Sequence, residues 1–181
     1  MDRQRKIRKS VNILTNDPSF TAWGYAVVSG KNVITTGCIK TEPEHKKRRI
    51  RKGDDTVRRI SEINHNLINL IKTHNINLIL CELPHGSQNA SAAVMIGAVA
   101  AIMQTLADTF NIAIEWYSEQ DSKKHLLNKK AATKQEVIDA VKSKYKLKWH
   151  GIKYKDEAVA DAMAVYHVAR SQSALIKMLT E

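Results

Sequence analysis

The chain has 181 residues but only two cysteines, Cys38 and Cys81, and neither has a CxxC neighbour. Zinc-finger and dithiol redox chemistry are therefore poorly served. Both cysteines sit in apolar, strand-like runs, as reduced core thiols of a reducing compartment do. Long hydrophobic runs are also missing: no unbroken apolar stretch reaches the roughly 20 residues of a bilayer span, which argues against an integral membrane protein. The N-terminus carries Arg3, Arg5, Lys6, Arg8 and Lys9 with no apolar core behind them. It runs straight into a strand-like segment, unlike a secretory signal or a transit peptide. Acid is scarce: 18 Asp and Glu face 29 Lys and Arg, giving a net charge of +11. That surplus points to a polyanionic partner, nucleic acid or an anionic membrane. Hydrophobic residues nevertheless make up 43% of the chain, enough for a real core. No internal repeat, low-complexity tract or domain boundary is visible. The expected organisation is a basic tail over 1–10 and a single domain over 11–181.

The pattern changes from strands to helices along the chain. Val11–Leu14 is apolar and ends at Asn16-Asp17-Pro18, where proline cannot continue a central ladder. Gly24–Val28 and Val33–Ile39 are β-prone and joined by the turn Ser29-Gly30-Lys31-Asn32. These three runs predict an antiparallel meander. Thr41–Asp55 has almost no apolar residues and reads as an exposed loop. Val57, Ile60, Ile63, Leu67 and Leu70 or Ile71 then recur at helical spacing. Ile76–Cys81 reads as a strand buried on both faces. Asn89–Leu106, rich in Ala and Gly, reads as a closely packed helix, with polar Asn89, Ser91 and Gln104 arguing against a membrane span. Ile112–Trp116 predicts another strand. Thr133 with Glu136 three residues on is a capping-box signature. Asp156–Leu179 reads as a long closing helix. Strands alternating with helices after a meander predict an α/β domain: a mixed five-stranded sheet, three antiparallel strands then two parallel, flanked by helices.

In so basic a chain the placement of acids is informative. Asp17 ends the first strand and Glu82 the fourth, and neighbouring strands would bring them to one edge. Glu157 and Asp161 lie four apart on one helical face and would add two more carboxylates. Such an all-oxygen site suits Mg²⁺. Two ions roughly 4 Å apart activate water and stabilise the leaving oxygen of a phosphodiester. The plainer alternative is that each acid merely ends a strand or, like Asp156 and Glu157, favours a helix N-terminus.

The residues also carry a resemblance. Asp17-Pro18-Ser19-Phe20-Thr21-Ala22-Trp23-Gly24 resembles the first motif of the RuvC-type Holliday junction resolvases, an aspartate ending the first strand followed by a Pro–small turn, a Thr and a Gly. Glu82-Leu83-Pro84-His85-Gly86-Ser87 is similar to the second motif, in the form that phage members carry. Val159-Ala160-Asp161-Ala162-Met163-Ala164 resembles the last. The resemblance covers roughly Val11 to Arg170 in the same element order. It implies an RNase H-like fold, a homodimer, and cleavage of branched DNA with Mg²⁺ or Mn²⁺, two ions per site. Asp17, Glu82 and Asp161 are the implied metal ligands and catalytic acids. The resemblance implies no organic cofactor and no membrane partner, and its phage-like second motif suggests work in a host cytoplasm. Two positions depart from the pattern. Many members carry an acid or His three residues before the final Asp, where this chain has Ala158; Glu157, or less favourably Asp156, is the candidate substitute. Asn16 replaces an apolar residue, either bonding near the metal or capping the turn.

Candidate DNA contacts follow the basic residues. Lys46, Lys47, Arg48, Arg49, Arg51 and Lys52 crowd one loop, which reads as a DNA-contacting segment, a solvated loop or a nuclear localisation signal. Gly53-Asp54-Asp55 beside it reads as a flexible turn or a second acidic site. His85 and Ser87 follow Glu82 at the mouth of the site, and Ser87 or Asn89 can cap the next helix. Lys123, Lys124, Lys129, Lys130 and Lys134 surround Thr133, whose helix N-terminus is a candidate phosphate site. Lys142, Lys144, Lys146 and Lys148 interleave with Tyr145 and Trp149 as a third strip or a solvated helix end. Phe20 is placed to stack on a base or to fill the core. Ser91–Met103, with its small residues, is the expected dimer surface. The expected activity is a structure-selective nuclease that resolves four-way junctions. The alternatives are a non-catalytic branched-DNA binder on the same fold, or a nuclease for flaps, forks or RNA–DNA hybrids.

Overall fold

The computed structural model describes residues 11–44, 50–129 and 131–180. The expected basic tail over 1–10, the residues Lys46, Lys47, Arg48 and Arg49, and Lys130 lie outside the described residues. The chain runs through β1 (Asn12–Asp17), β2 (Ala22–Ser29), β3 (Asn32–Lys40), α1 (Lys52–His74) and β4 (Leu78–Glu82). It continues through α2 (Ala90–Phe110), β5 (Ala113–Tyr117), α3 (Glu119–Leu127), α4 (Lys134–Lys144), α5 (Lys153–Gln172) and α6 (Ala174–Thr180). One sheet has the order β3-β2-β1-β4-β5. β1, β2 and β3 pair antiparallel, while β4 lies parallel to β1 and β5 parallel to β4. This is the mixed sheet that the pattern predicts.

Strand alternation sorts side chains onto two helical layers. On one face Leu14, Trp23, Val27, Ile79 and Cys81 pack with Ile63 and Leu67 of α1 and Val99 and Met103 of α2. On the other, Ile13, Ala26, Leu78 and Leu80 meet Val159, Met163 and Val165 of α5 and Val137 of α4. Each fully buried aliphatic side chain stabilises the fold by roughly 1.5–3 kcal/mol. Helix α5 is buried almost continuously from Ala158 to Tyr166, because it lies across the sheet beneath α3 and α4. By length and composition α2 is long and apolar enough to cross a membrane. Here Val99, Ile102, Met103, Leu106 and Ala107 pack inward, while Val94 on its open side is 64% exposed.

Local chemistry sets the ends. Helices α1, α2 and α3 each stop at an asparagine in the left-handed region, Asn75, Asn111 and Asn128. Asparagine tolerates that conformation and lets the cap N–H reach back to the last turn. Gly30 supplies positive φ in the two-residue β2–β3 turn. The expected single closing helix is broken at Ser173, whose backbone is extended and whose Oγ accepts from Ile176 N and donates to Glu115. Gly53, Asp54 and Asp55 form neither a flexible turn nor a separate acidic site. They open α1, and Asp55 is buried, accepting from Glu44 N at 3.0 Å and from Arg58.

Asn16 corrects another expectation. Strand alternation points it away from Asp17 into the α1–α2 layer. There it is fully buried, accepts from Trp23 Nε1 at 3.1 Å and donates to the Leu80 carbonyl at 3.2 Å. It ties β1 to β2 and β4 instead of bonding near the metal or capping the turn.

On the opposite face, β2 and α5 touch at Gly24. A Cβ there would lie 2.1 Å from the Ala158 carbonyl oxygen. Gly24→Ala is expected to destabilise the protein by about 3 kcal/mol, read from the midpoint of urea unfolding.

Candidate active site

The parallel register of β1 and β4 builds the centre. Asn16 pairs with Cys81, so Asp17 and Glu82, one residue further on, stand side by side at the carboxyl ends of adjacent strands. Paired strands lie roughly 4.8 Å apart. Both side chains belong to the face covered by α5. Thr15 Oγ1, on that same face, donates to the Ala162 carbonyl at 2.6 Å and fixes α5 against β1. One residue before Ala162, Asp161 is thereby delivered to the strand ends, where it is only 6% exposed.

The three carboxylates resist ionisation. Burial pushes Asp17 up to about 7, reinforced by Asp161 and Glu119 and opposed by Lys134. Burial pushes Glu82 up to about 8, with Asp17, Asp161 and Glu119 adding to it. Asp161 is also raised by burial, against the pull of Lys134. Lys134, at the first turn of α4, donates from Nζ to Asp161 Oδ2. Burial disfavours its charge, but Asp161, Asp17 and Glu82 outweigh that and raise its pKa. Lys134, expected to hold a phosphate at a helix terminus, lies beside the acids at the strand ends.

The proposed partner Glu157 lines a hollow with Lys134, Gln135, Ile138 and Lys142 of α4. Asp156 is no substitute, since its oxygens accept from His150 N at 2.8 Å and Gly151 N at 3.0 Å. Ala158 is buried against Gly24. The further carboxylate whose charge reaches the cluster is Glu119, which the sequence reading overlooked. It is the first residue of α3, a helix whose signal is Ser118 with Asp121 three residues on, and Ser118 does cap it. Glu119 contacts His85 Nε2 at 3.2 Å and Lys123 Nζ. The Lys123 hydrogen bond is the chief cause that holds its pKa below the ordinary glutamate value.

The remaining DNA-binding candidates are spread around this centre. His85 is exposed on the loop after β4. Ser87 does not cap α2; it accepts from Asn89 N at 3.1 Å, and Asn89 is the cap. Arg51 is forked onto Asp54 at 2.7 and 3.0 Å, and Lys52 is exposed where α1 begins. Lys129 pairs with Glu136. That glutamate closes the Thr133 capping box, so the helix terminus expected to take a phosphate already holds a carboxylate. The lysines of the third basic strip are exposed while its aromatics are half-buried: Lys142 lies 5.1 Å over Trp149, and Tyr145 packs on Tyr166 and bonds His167 at 2.7 Å. Phe20 fills the α1–α2 layer beneath the Arg59 guanidinium, at 4.2 Å, so of its two readings packing is the one seen.

The donor set fits hard divalent cations. It is all carboxylate, and Asp17 and Glu82 accept no hydrogen bond among the described residues. Among those residues no three ligating groups form a ready-made cage. Lys134 and Lys123 instead neutralise Asp161 and Glu119.

A partly buried carboxylate cluster at the ends of adjacent parallel strands, under a helix crossing this five-stranded sheet, defines a nuclease of RNase H-like fold. The chain belongs to the family described as crossover junction endodeoxyribonuclease RuvC, whose profile matches residues 13–167. Among solved structures, Thermus thermophilus RuvC in complex with Holliday junction substrate is 18% identical with a TM-score of 0.70. That match covers 89% of this chain and 96% of the other. The yeast mitochondrial Holliday junction resolvase Ydc2 is 16% identical with a TM-score of 0.65, covering 97% of this chain and 84% of that one. No match to a curated protein sequence is found.

The raised carboxyls give the metal-free protein a pH signature. The unfolded chain ionises them near 3.8 and 4.5, the folded chain only near 7 and 8. The folded state thus holds extra protons between these limits, and stability falls as pH rises from about 4 to 8. In EDTA, Asp17→Asn is expected to flatten this slope. It should match wild type near pH 4 and exceed it by about 4 kcal/mol at pH 8 in urea unfolding.

Proposed function

We propose that this protein is a structure-selective, divalent-metal-dependent endodeoxyribonuclease that resolves four-way DNA junctions by paired nicks. The observation that carries this is the convergence of Asp17, Glu82 and Asp161 at one sheet edge in a chain of the RuvC family. Asp17, Glu82 and Asp161 would hold Mg²⁺ or Mn²⁺, two ions per site. When bound, such ions supply an activated water and charge stabilisation at the leaving oxygen.

The chain's own residues do the rest. Asp17 and Glu82 sit on paired strands, which keeps their separation fixed. Asp161 is held by the Thr15–Ala162 bond. The Lys134 ammonium is half-buried beside the carboxylates, where it meets the charge that grows on a phosphate under attack. His85 stands at the mouth of the site on the loop that follows Glu82. Arg51 and Lys52 lie where α1 begins, next to the basic run 46–49 in sequence, and would hold a DNA arm by its phosphates. Lys123 stands beside His85 and Glu119 at the same opening.

Paired nicks require two copies related by a two-fold axis, matching the symmetry of the junction. The open face of α2 within Ser91–Met103 is the surface offered for that homodimer. Val94 is exposed there, and small residues allow close approach. Solution scattering at micromolar concentration should give twice the 20.4 kDa chain mass. A monomeric mass would count against the dimer.

The direct test compares a four-way junction, a fork, a flap and an RNA–DNA hybrid with Mg²⁺ or Mn²⁺ present. The junction is expected to be nicked in preference. Asp17→Asn and Glu82→Gln should lower nicking by roughly 10³-fold or more while junction binding persists. Binding without nicking by the wild type would sink the nuclease mechanism, and preferential cutting of the other substrates would replace the junction as target.

A further inference from the structure

Resting on the carboxylate-centre reading above, we infer that Glu119 is a further metal-holding residue of this site and brings its fourth carboxylate from α3. Three observations converge on it. The first is placement. Glu82 pairs with Tyr117, and Leu83 N donates to the Tyr117 carbonyl at 2.7 Å. Glu119 comes two residues after Tyr117, so the backbone sets it beside Glu82 on the same sheet edge. The second is electrostatic reach: its charge bears on Asp17, Glu82 and Asp161 alike. The third is closure of the other route. Ala158, where the family pattern has an acid or His, is packed against Gly24, and Glu157 lines a hollow with residues of α4. Asp161 is then the carboxylate that α5 brings to the centre, and the sheet edge offers the other places.

The present partners of Glu119 fit this role. Its carboxylate is one-third exposed and held by two cationic or ionisable side chains, Lys123 and His85. Lys123 stands to Glu119 as Lys134 stands to Asp161: an ammonium on a carboxylate. In both cases a flexible lysine head can withdraw when a divalent ion competes for the oxygens. The exchange trades one positive charge for two, so it is favoured where several carboxylates face one another. Seated between the loop carrying His85 and the end of β5, Glu119 also ties metal occupancy to that loop's position.

The experiment is a Mn²⁺ titration of the full-length protein without DNA, with free ion read by electron paramagnetic resonance. Wild type is compared with Glu119→Gln, Glu119→Asp, Glu157→Gln and Asp17→Asn, and thermal midpoints check that each is folded. Glu119→Gln is expected to lose one bound ion or to weaken binding about tenfold. Glu119→Asp, which keeps the charge, should recover most of the affinity even if Gln disturbs the start of α3. Glu157→Gln should titrate within twofold of wild type. The inference is overturned if Glu119→Gln binds like wild type, or if Glu157→Gln is weakened as much. Should Asp17→Asn bind Mn²⁺ as well as wild type, the carboxylate centre itself fails, which is distinguishable from a failure of Glu119 alone. A wild type that takes up no Mn²⁺ overturns both.

Discussion

The withdrawal of neighbouring carboxylates from water, with the repulsion among them, is the constraint around which this structure is arranged. Asp17 and Glu82 would separate or move into water if their backbones allowed it. They cannot, because each ends a strand whose pairing is fixed by several hydrogen bonds and by apolar neighbours on both faces. Asp161 is pressed onto them by a helix buried along three turns. The packing of α5 against the sheet, with Gly24 open to the Ala158 carbonyl, thus holds together groups that electrostatics would drive apart.

That tension explains the lysines. In a chain with a surplus of positive charge, two ammonium groups are drawn inward onto carboxylates, Lys134 onto Asp161 and Lys123 onto Glu119. Other basic residues keep partners nearer the surface: Arg51 with Asp54, Lys129 with Glu136, Arg59 with Phe20. The net charge is therefore not a uniform coat. A cluster of acidic side chains is flanked by lysines that pair with two of its members, within a chain whose overall charge favours a polyanion.

Much of the fold was legible beforehand because its signals are local. Alternation marked the strands, the three-and-four spacing marked α1, and Thr133 with Glu136 announced α4. What was missed was local too, but quieter. Ser118 with Asp121 signalled α3, and asparagines rather than glycines ended three helices. In the site, Asp17, Glu82 and Asp161 lie together because strand ends and a crossing helix are predictable from element order. For Glu157 the i, i+4 rule says only that it shares a helical face with Asp161; what that face meets is decided by packing, and Glu157 lines a hollow with residues of α4. Asn16 was misplaced for a related reason: one residue along a strand reverses the side chain, and Trp23 waited on the other side.

The amino-acid sequence by itself determined the layered α/β arrangement, the basic character and which acids end which strands, since these depend on neighbours a few residues apart. Only the tertiary structure decided which carboxylates share a centre and which cations neutralise them. Those pairings join β1 to β4 across 65 residues of chain and α3 and α4 to both. Their energies depend on burial, which no local pattern contains. Glu119 illustrates the division. Its residue type and helix start can be read from the chain, but its place among the acids exists only once β5 pairs with β4.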